Sequence, residues 1–270
     1  MAPAYLDPIV AAHRAGALAD HRSLDSLLEQ VAALPPCRGF RRALAAADGL
    51  GVIAEIKRRS PSKGDLAVEL DPAEVARQYA EGGATCLSVL TDADHFGGSA
   101  QDLAAAREAV GLPVLRKDFT VAANDVVDAR IMGADAVLLI VAALDDVELA
   151  DFATLAGEIG LDVLVEAHDE GEIDRAMAVG ATLIGVNQRD LHTFEVDTDR
   201  AVRVAHRMPA SVIRVAESGV RGPDDGARLA AAGYDAVLVG ESVVTAGDRR
   251  AAVAALRSVP VRTVPDRLSR

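Results

Sequence analysis

The stretch IMGADAVLLIV (131–141) closes a helical segment with a glycine and runs at once into a short, wholly apolar sequence. The same unit recurs as AEGGATCLSVL (80–90), AVGATLIGVN (178–187) and AAGYDAVLVG (231–240). Glycine suits the left-handed residue that ends a helix, and an apolar run without polar alternation suits a parallel strand covered on both faces. GVIAEIK (51–57), PVLRKDF (113–119), DVLVEAH (162–168) and SVIRVAES (211–218) complete a set of eight strand candidates. Their spacing of roughly 20 to 35 residues is that of a βα unit. Eight such units predict an α/β fold, a closed (β/α)8 TIM barrel. The competing open, doubly wound sheet needs a Gly-rich phosphate loop after its first strand. KRRSPSKG (57–64) matches neither G-x-G-x-x-G nor the Walker pattern.

The 270 residues suit one barrel, whose usual size is about 250, and no stretch is long enough to be a linker. Residues 1–270 are therefore expected to form a single domain. SLDSLLEQVAAL (23–34) has helical periodicity and stops at Pro35-Pro36, so residues 1–48 are expected to add helices ahead of the first strand.

Half the residues are hydrophobic, yet no apolar run approaches the roughly 18 needed for a membrane span. The first residues carry acids and histidines where a secretory signal needs a basic and then an apolar segment. A cytoplasmic protein with no membrane partner is expected. Cys37 and Cys86 cannot build a framework of bridges and are expected to be packing residues. A net charge of −13 argues against nucleic acid as a partner, and 3% aromatics with no Trp disfavours a stacking platform. Oligomeric state is open, with a monomer favoured.

In a parallel barrel, chemistry stands at the C-terminal strand ends. The candidates end in Glu55 and Lys57, Lys117 and Asp118, Glu166, Asn187 and Arg189, Glu217 and Ser218, and Gly240. Any one of these charges could merely mark a strand emerging into water; their joint occurrence points to a site. Glu55 and Lys57 are two apart and share a face of their strand. Lysines and glutamates converging on one mouth suit proton transfer and an anionic substrate. Gly219 and Gly240 end strands seven and eight, where barrels bind phosphate through backbone N–H groups.

AEIKRRSPSKG (54–64), LTDADHFGGS (90–99), LRKDF (115–119), LVEAH (164–168), GVNQRDL (185–191), AESG (216–219) and LVGES (238–242) resemble, in order, the strand-end motifs of indole-3-glycerol phosphate synthases. That family converts carboxyphenylamino-deoxyribulose phosphate to indoleglycerol phosphate, releasing carbon dioxide and water. The resemblance implies no cofactor, no metal and a small phosphorylated substrate. It makes Lys117 the general acid that protonates the substrate carbonyl oxygen, and Glu166 the group that assists loss of the resulting hydroxyl. Lys57 would neutralise substrate charge, with Glu55 orienting it. Asn187 and Ser218 would hold polar groups of the substrate, and Ser60, Phe96, Arg189 and Leu238 would line its pocket. Gly219, Gly240 and the N–H of Glu241 would seat the phosphate. The sequence departs from the usual pattern at Gln188, at Gly97 after the aromatic, and at Glu241, whose carboxylate must turn away from a bound phosphate.

Other clusters carry less. Asp92, Asp94 and His95 are spaced like metal ligands but are expected to be a solvated turn. His168-Asp169 suggests a relay behind Glu166, although Asp169 is better placed to cap the following helix. His13, His21, His192 and His206 have no nucleophile near them in sequence, and Ser60 and Ser62 in S-P-S-K need only a turn. A sugar-phosphate isomerase commonly uses Asp with Cys or Asp with Asp, against Glu55 and Lys57 here. A Schiff-base aldolase would be trapped by borohydride. A non-catalytic phosphate-binding barrel would need neither Lys117 nor Glu166.

Overall fold

In the computed structural model, which describes residues 6–190 and 193–261, eight parallel strands close into a barrel wrapped by helices. Residues 1–5, Leu191, His192 and 262–270 lie outside the described residues, and with them the ends of the expected extension and domain. Three helices precede the barrel: α1 (Leu6–Ala19), α2 (Leu24–Ala32) and α3 (Phe40–Ala45). The strands are β1 (Gly51–Ile56), β2 (Cys86–Leu90), β3 (Val114–Lys117), β4 (Ala136–Ile140), β5 (Asp162–Ala167), β6 (Leu183–Asn187), β7 (Ile213–Glu217) and β8 (Ala236–Val239). Between them run α4 (Pro72–Glu81), α5 (Ala93–Phe96), α6 (Ala100–Ala109), α7 (Ala123–Ile131), α8 (Asp146–Glu158), α9 (Glu170–Ala178), α10 (Arg200–Val204) and α11 (Pro223–Ala231). After β8 come α12 (Glu241–Val244) and α13 (Arg249–Arg257). β1 closes the ring by pairing Ile53 with Cys86 of β2 on one side and Gly51 with Ala236 of β8 on the other.

The recurring sequence unit has the geometry its chemistry predicts. Gly83, Gly133, Gly180 and Gly233 take φ of 84°, 92°, 75° and 95° just past their helices, a region that penalises any Cβ. The apolar runs that follow are buried throughout in β2, β4, β6 and β8. Helix starts are set by short acceptors: Asp71 caps α4 ahead of Pro72, and Asp145 forms a capping box with Glu148 on α8.

Alternation along the strands sorts side chains into two cores. One lies between strands and helices and includes Val52, Ala54, Leu87, Val89, Val137 and Leu139. The other fills the barrel interior with Ile53, Cys86, Leu115, Leu138, Leu164, Ile213 and Val215. The three leading helices do three different things. α3 plugs the N-terminal end of the barrel with Phe40 and Leu44, both in the interior core. α2 packs beside α7, where Arg22 just ahead of it pairs with Asp128 at 2.7 Å. α1 reaches the opposite end and stands over the mouth. Cys37 and Cys86 are both free thiols. No helix among the described residues is long and apolar enough to cross a membrane.

Candidate active site

Above the apolar interior layers, the same inward-facing register delivers polar groups. β1 continues from Ile53 to Glu55 and then Lys57, whose Nζ donates to Glu55 Oε1 at 2.6 Å. β3 turns Leu115 and Lys117 inward and Arg116 outward, where Arg116 pairs with Asp118 at 3.0 Å. β5 contributes Glu166, β6 Asn187 and β7 Glu217. Every site residue expected from the sequence lines one cavity of about 950 Å³ at the C-terminal end, within the usual range for a small-molecule site.

At the centre Lys117 Nζ lies 3.1 Å from Glu166 Oε2 and 4.0 Å from Glu217 Oε2. Asn187 Nδ2 donates to the other Glu166 oxygen at 3.1 Å. Burial alone would raise the Glu166 pKa, but the Lys117 charge, His168 and the Asn187 bond outweigh it and hold the carboxyl down at about 2. Burial works against the Lys117 ammonium too, and the charges of Glu166, Glu217 and Glu55 more than offset it, so Lys117 titrates above the usual lysine range. Glu217 goes the other way: burial and the neighbouring Glu166 charge push it well up. The cluster therefore sets a firmly held ammonium and an ionised carboxylate beside a carboxyl pushed toward its neutral form. Two carboxyls driven apart in this way can serve as base and acid. The sequence reading placed Glu217 at a strand end but gave it no role. The signal was there, since Ile213, Val215 and Glu217 share the inward face.

The Ser218–Gly219 end of the cavity is built on a strained turn. Ser218 takes φ 65° and Gly219 φ 72°, an uncommon conformation for serine. Gln188 secures it by donating its amide N–H to the Ser218 carbonyl at 2.7 Å. Gly240 has a duty that the sequence did not reveal: a Cβ there would collide with Glu55 Oε1. The Glu241 carboxylate turns toward Lys63 at 3.6 Å and is half-exposed. Arg189 donates to the Phe194 carbonyl at 3.0 Å and forms no ion pair among the described residues, leaving its charge for an anion. Ser60 stands on a two-stranded ribbon, Arg59–Ser60 against Gly64–Asp65, beside the cavity. Phe96 ends α5, and Gly97 after it is the left-handed cap that stops that helix, which explains the small residue at this position.

Asp92 is not part of a solvated turn, contrary to the expectation. It is buried and caps α5, accepting from His95 N at 2.6 Å and Phe96 N at 3.1 Å; only Asp94 is exposed. Its second oxygen accepts from His13 Nε2 on α1 at 3.0 Å. His13 also stacks on Phe119 at 5.2 Å, and Phe119 lies 6.4 Å from Phe96. His13, Asp92 and Asp118 offer three ligand atoms within 4.8 Å of one another. Their charges are already balanced, Asp118 by Arg116 and Asp92 by His13.

The His13–Asp92 pair gives stability a defined pH window. The Asp92 bond, against burial and helped by Asp118, raises the His13 pKa, while His13 and His95 overcome burial to lower that of Asp92. A raised histidine contributes below its unfolded pKa and loses that contribution as pH rises through the folded value. A lowered aspartate contributes above its unfolded pKa and loses it toward acid. The pair is thus complete between about pH 4 and 6.5. His13→Gln is expected to melt about 2 °C lower than wild type at pH 5.5, for a pair worth about 1 kcal/mol. The gap should shrink above pH 8; a gap that stays constant across both pH values would show that the pair is not ionic.

Comparison with known proteins agrees with this geometry. A model of the family described as indole-3-glycerol phosphate synthase matches residues 6–256. Indole-3-glycerol phosphate synthases of a Nocardioides species and of Mycolicibacterium smegmatis are 52% and 51% identical to this chain. They cover 94% and 93% of it, and the chain covers 98% and 93% of theirs. Among solved structures, thiamine phosphate pyrophosphorylase from Pyrococcus furiosus aligns with a TM-score of 0.59 at 18% identity. It covers 78% of this chain and the chain covers 95% of it, a likeness of fold alone. A closed barrel with an acid–base cluster at its mouth, matched to the family model over residues 6–256, establishes that the chain belongs to the indole-3-glycerol phosphate synthase family.

Proposed function

We propose that the cluster around Lys117 carries the decarboxylative ring closure of 1-(2-carboxyphenylamino)-1-deoxyribulose 5-phosphate. In this reading Lys117 gives its proton to the carbonyl oxygen as the aromatic carbon bonds to the carbonyl carbon. Carbon dioxide then leaves that aromatic carbon, and the electron pair restores the ring. The new hydroxyl departs as water with help from Glu166, taking one proton from the cluster, while the adjacent methylene carbon returns one as the ring double bond forms; Glu217, 4.0 Å from Lys117, adds a second carboxyl to that exchange. Lys57, aimed by Glu55, neutralises substrate charge; Asn187 and Ser218 hold its polar groups. Ser60, Phe96, Arg189 and Leu238 border the pocket, and Gly219, Gly240 and the Glu241 N–H receive the phosphate. The observation that carries this reading is the 3.1 Å contact of Lys117 with an ionised Glu166 inside the cavity.

Purified protein incubated with this substrate should develop indole absorbance and fluorescence, and with no Trp the background is low. Absence of that signal would overturn the reading. The chain is further read as one domain, residues 1–270 with 1–48 as its extension, acting as a cytoplasmic monomer. In support of a monomer, the exposed large hydrophobics among the described residues are the scattered Leu18, Val68, Val147 and Val196.

The phosphate seat is best tested at Gly219, because any side chain at Gly240 would also strike Glu55. A Cβ at 219 would lie 2.7 Å from Val196 Cγ1 and demand φ 72° of a non-glycine residue. Inorganic phosphate should compete with substrate in the wild type. Gly219→Ala is expected to weaken that competition about tenfold or more, a change of about 1.4 kcal/mol. Equal inhibition of both proteins would place the phosphate elsewhere.

A further inference from the structure

His168 stands just past β5, at the turn into α9. The suspected partner Asp169 is occupied as the cap of α9, accepting from Glu172 N at 2.8 Å. Glu172 takes the imidazole instead. Its Oε2 lies 2.9 Å from His168 Nδ1 and accepts the His168 backbone N–H at 2.7 Å, holding the ring by one nitrogen and the backbone beside it. The other ring nitrogen, Nε2, faces Glu166 Oε1 at 3.6 Å. That is too long for a hydrogen bond, and Nε2 is buried with no hydrogen-bond partner among the described residues. A buried polar nitrogen left unsatisfied is costly and requires a reason.

Glu166 supplies the reason. At rest its oxygens are taken by Asn187 and Lys117. When Lys117 turns to the substrate and gives up its proton, the Glu166 carboxylate loses its nearest cation in a buried site, where an unpaired charge is expensive. A movement of less than about 1 Å would bring Nε2–H to charge-assisted bonding distance. We propose that His168, braced by Glu172, is a positioning residue whose Nε2–H takes over the Glu166 carboxylate while Lys117 is engaged with substrate. The histidine keeps its proton throughout, so no further reactant is needed. The charged groups facing it are Glu166 on β5, Glu172 on α9 and Arg200 on α10. Burial and Arg200 oppose the imidazolium, but the Glu172 bond and the two carboxylates prevail and raise its pKa.

This inference rests on Lys117 being the proton donor, which Lys117→Met tests separately. In His168→Gln the single-turnover rate of ring closure should fall roughly 10- to 100-fold, the worth of one hydrogen bond to a charged group. Indoleglycerol phosphate affinity should be unchanged. The acid limb of the rate profile should move to higher pH, because Glu166 has lost a positive neighbour. Glu172→Gln keeps the bulk but withdraws the counter-charge, so its imidazole deprotonates at lower pH than in wild type. Its rate loss should be small at pH 6 and full by pH 8. If His168→Gln folds normally and keeps both the wild-type rate and the wild-type acid limb, the proposal is wrong. If that variant fails to fold, Glu172→Gln decides: a pH-independent loss, or none, overturns the proposal.

Discussion

Lys117→Met is expected to lower kcat by about 10² to 10⁴ while product affinity stays within about tenfold. Methionine fills the space of the lysine stem but has no proton to give. The loss has a second source in the same cluster. Glu166 is held ionised chiefly by the Lys117 charge, against its own burial. Without that ammonium the carboxyl is held ionised less firmly, so one substitution removes the donor and weakens its partner. Because the residue acts at the reacting carbonyl, kcat and kcat/KM should fall together. Steady-state kinetics with titration by indoleglycerol phosphate would measure both, and near-normal turnover would remove Lys117 from the mechanism.

Glu166→Gln is expected to cost a similar factor of about 10² to 10⁴, by a different route. The amide preserves the shape and can still meet Asn187, but it neither accepts a proton nor balances Lys117. Lys117 then keeps only Glu217 at 4.0 Å and the more distant Glu55 as carboxylate neighbours. The acid limb that reports Glu166 should disappear from the pH–rate profile. Glu217→Gln makes the informative contrast. Burial and the Glu166 charge push the Glu217 carboxyl toward its neutral form, which an amide resembles, so the loss should be the smaller of the two. Near-silence of Glu166→Gln beside a crippled Glu217→Gln would reverse the two assignments.

The barrel was legible because its repeating unit is local. A helix-ending glycine and a doubly covered apolar strand are each specified by a few neighbouring residues. The strand-end positions of Glu55, Lys57, Lys117, Glu166 and Asn187 follow from the same reading, since alternation of period two fixes which residues face inward. The pairing of Glu55 with Lys57 could be read for the same reason, both lying on one strand.

Other features required contacts between distant segments. Glu217 has its pKa pushed up by burial in the barrel and by Glu166, 51 positions away in the sequence (217 minus 166). Asp92 looked like a solvated acid until α1 brought His13 over it from 79 positions away in the sequence. Gly240 looked like a phosphate glycine alone, until closure of the barrel set β8 against β1 and put Glu55 where a Cβ would fall. The histidine relay was half visible: the ring was named, but its brace is Glu172, chosen because Asp169 is consumed in capping the helix.

By itself the sequence determined the βα repeat, the count of eight strands and the set of side chains delivered to the mouth, because each depends on covalent spacing and local backbone preference. Tertiary structure decided which carboxyl is pushed toward its neutral form, which histidines are pushed toward the charged form and where the leading helices go. Those properties are set by burial and by charges a few ångströms away in space, and separation along the chain does not encode such distances.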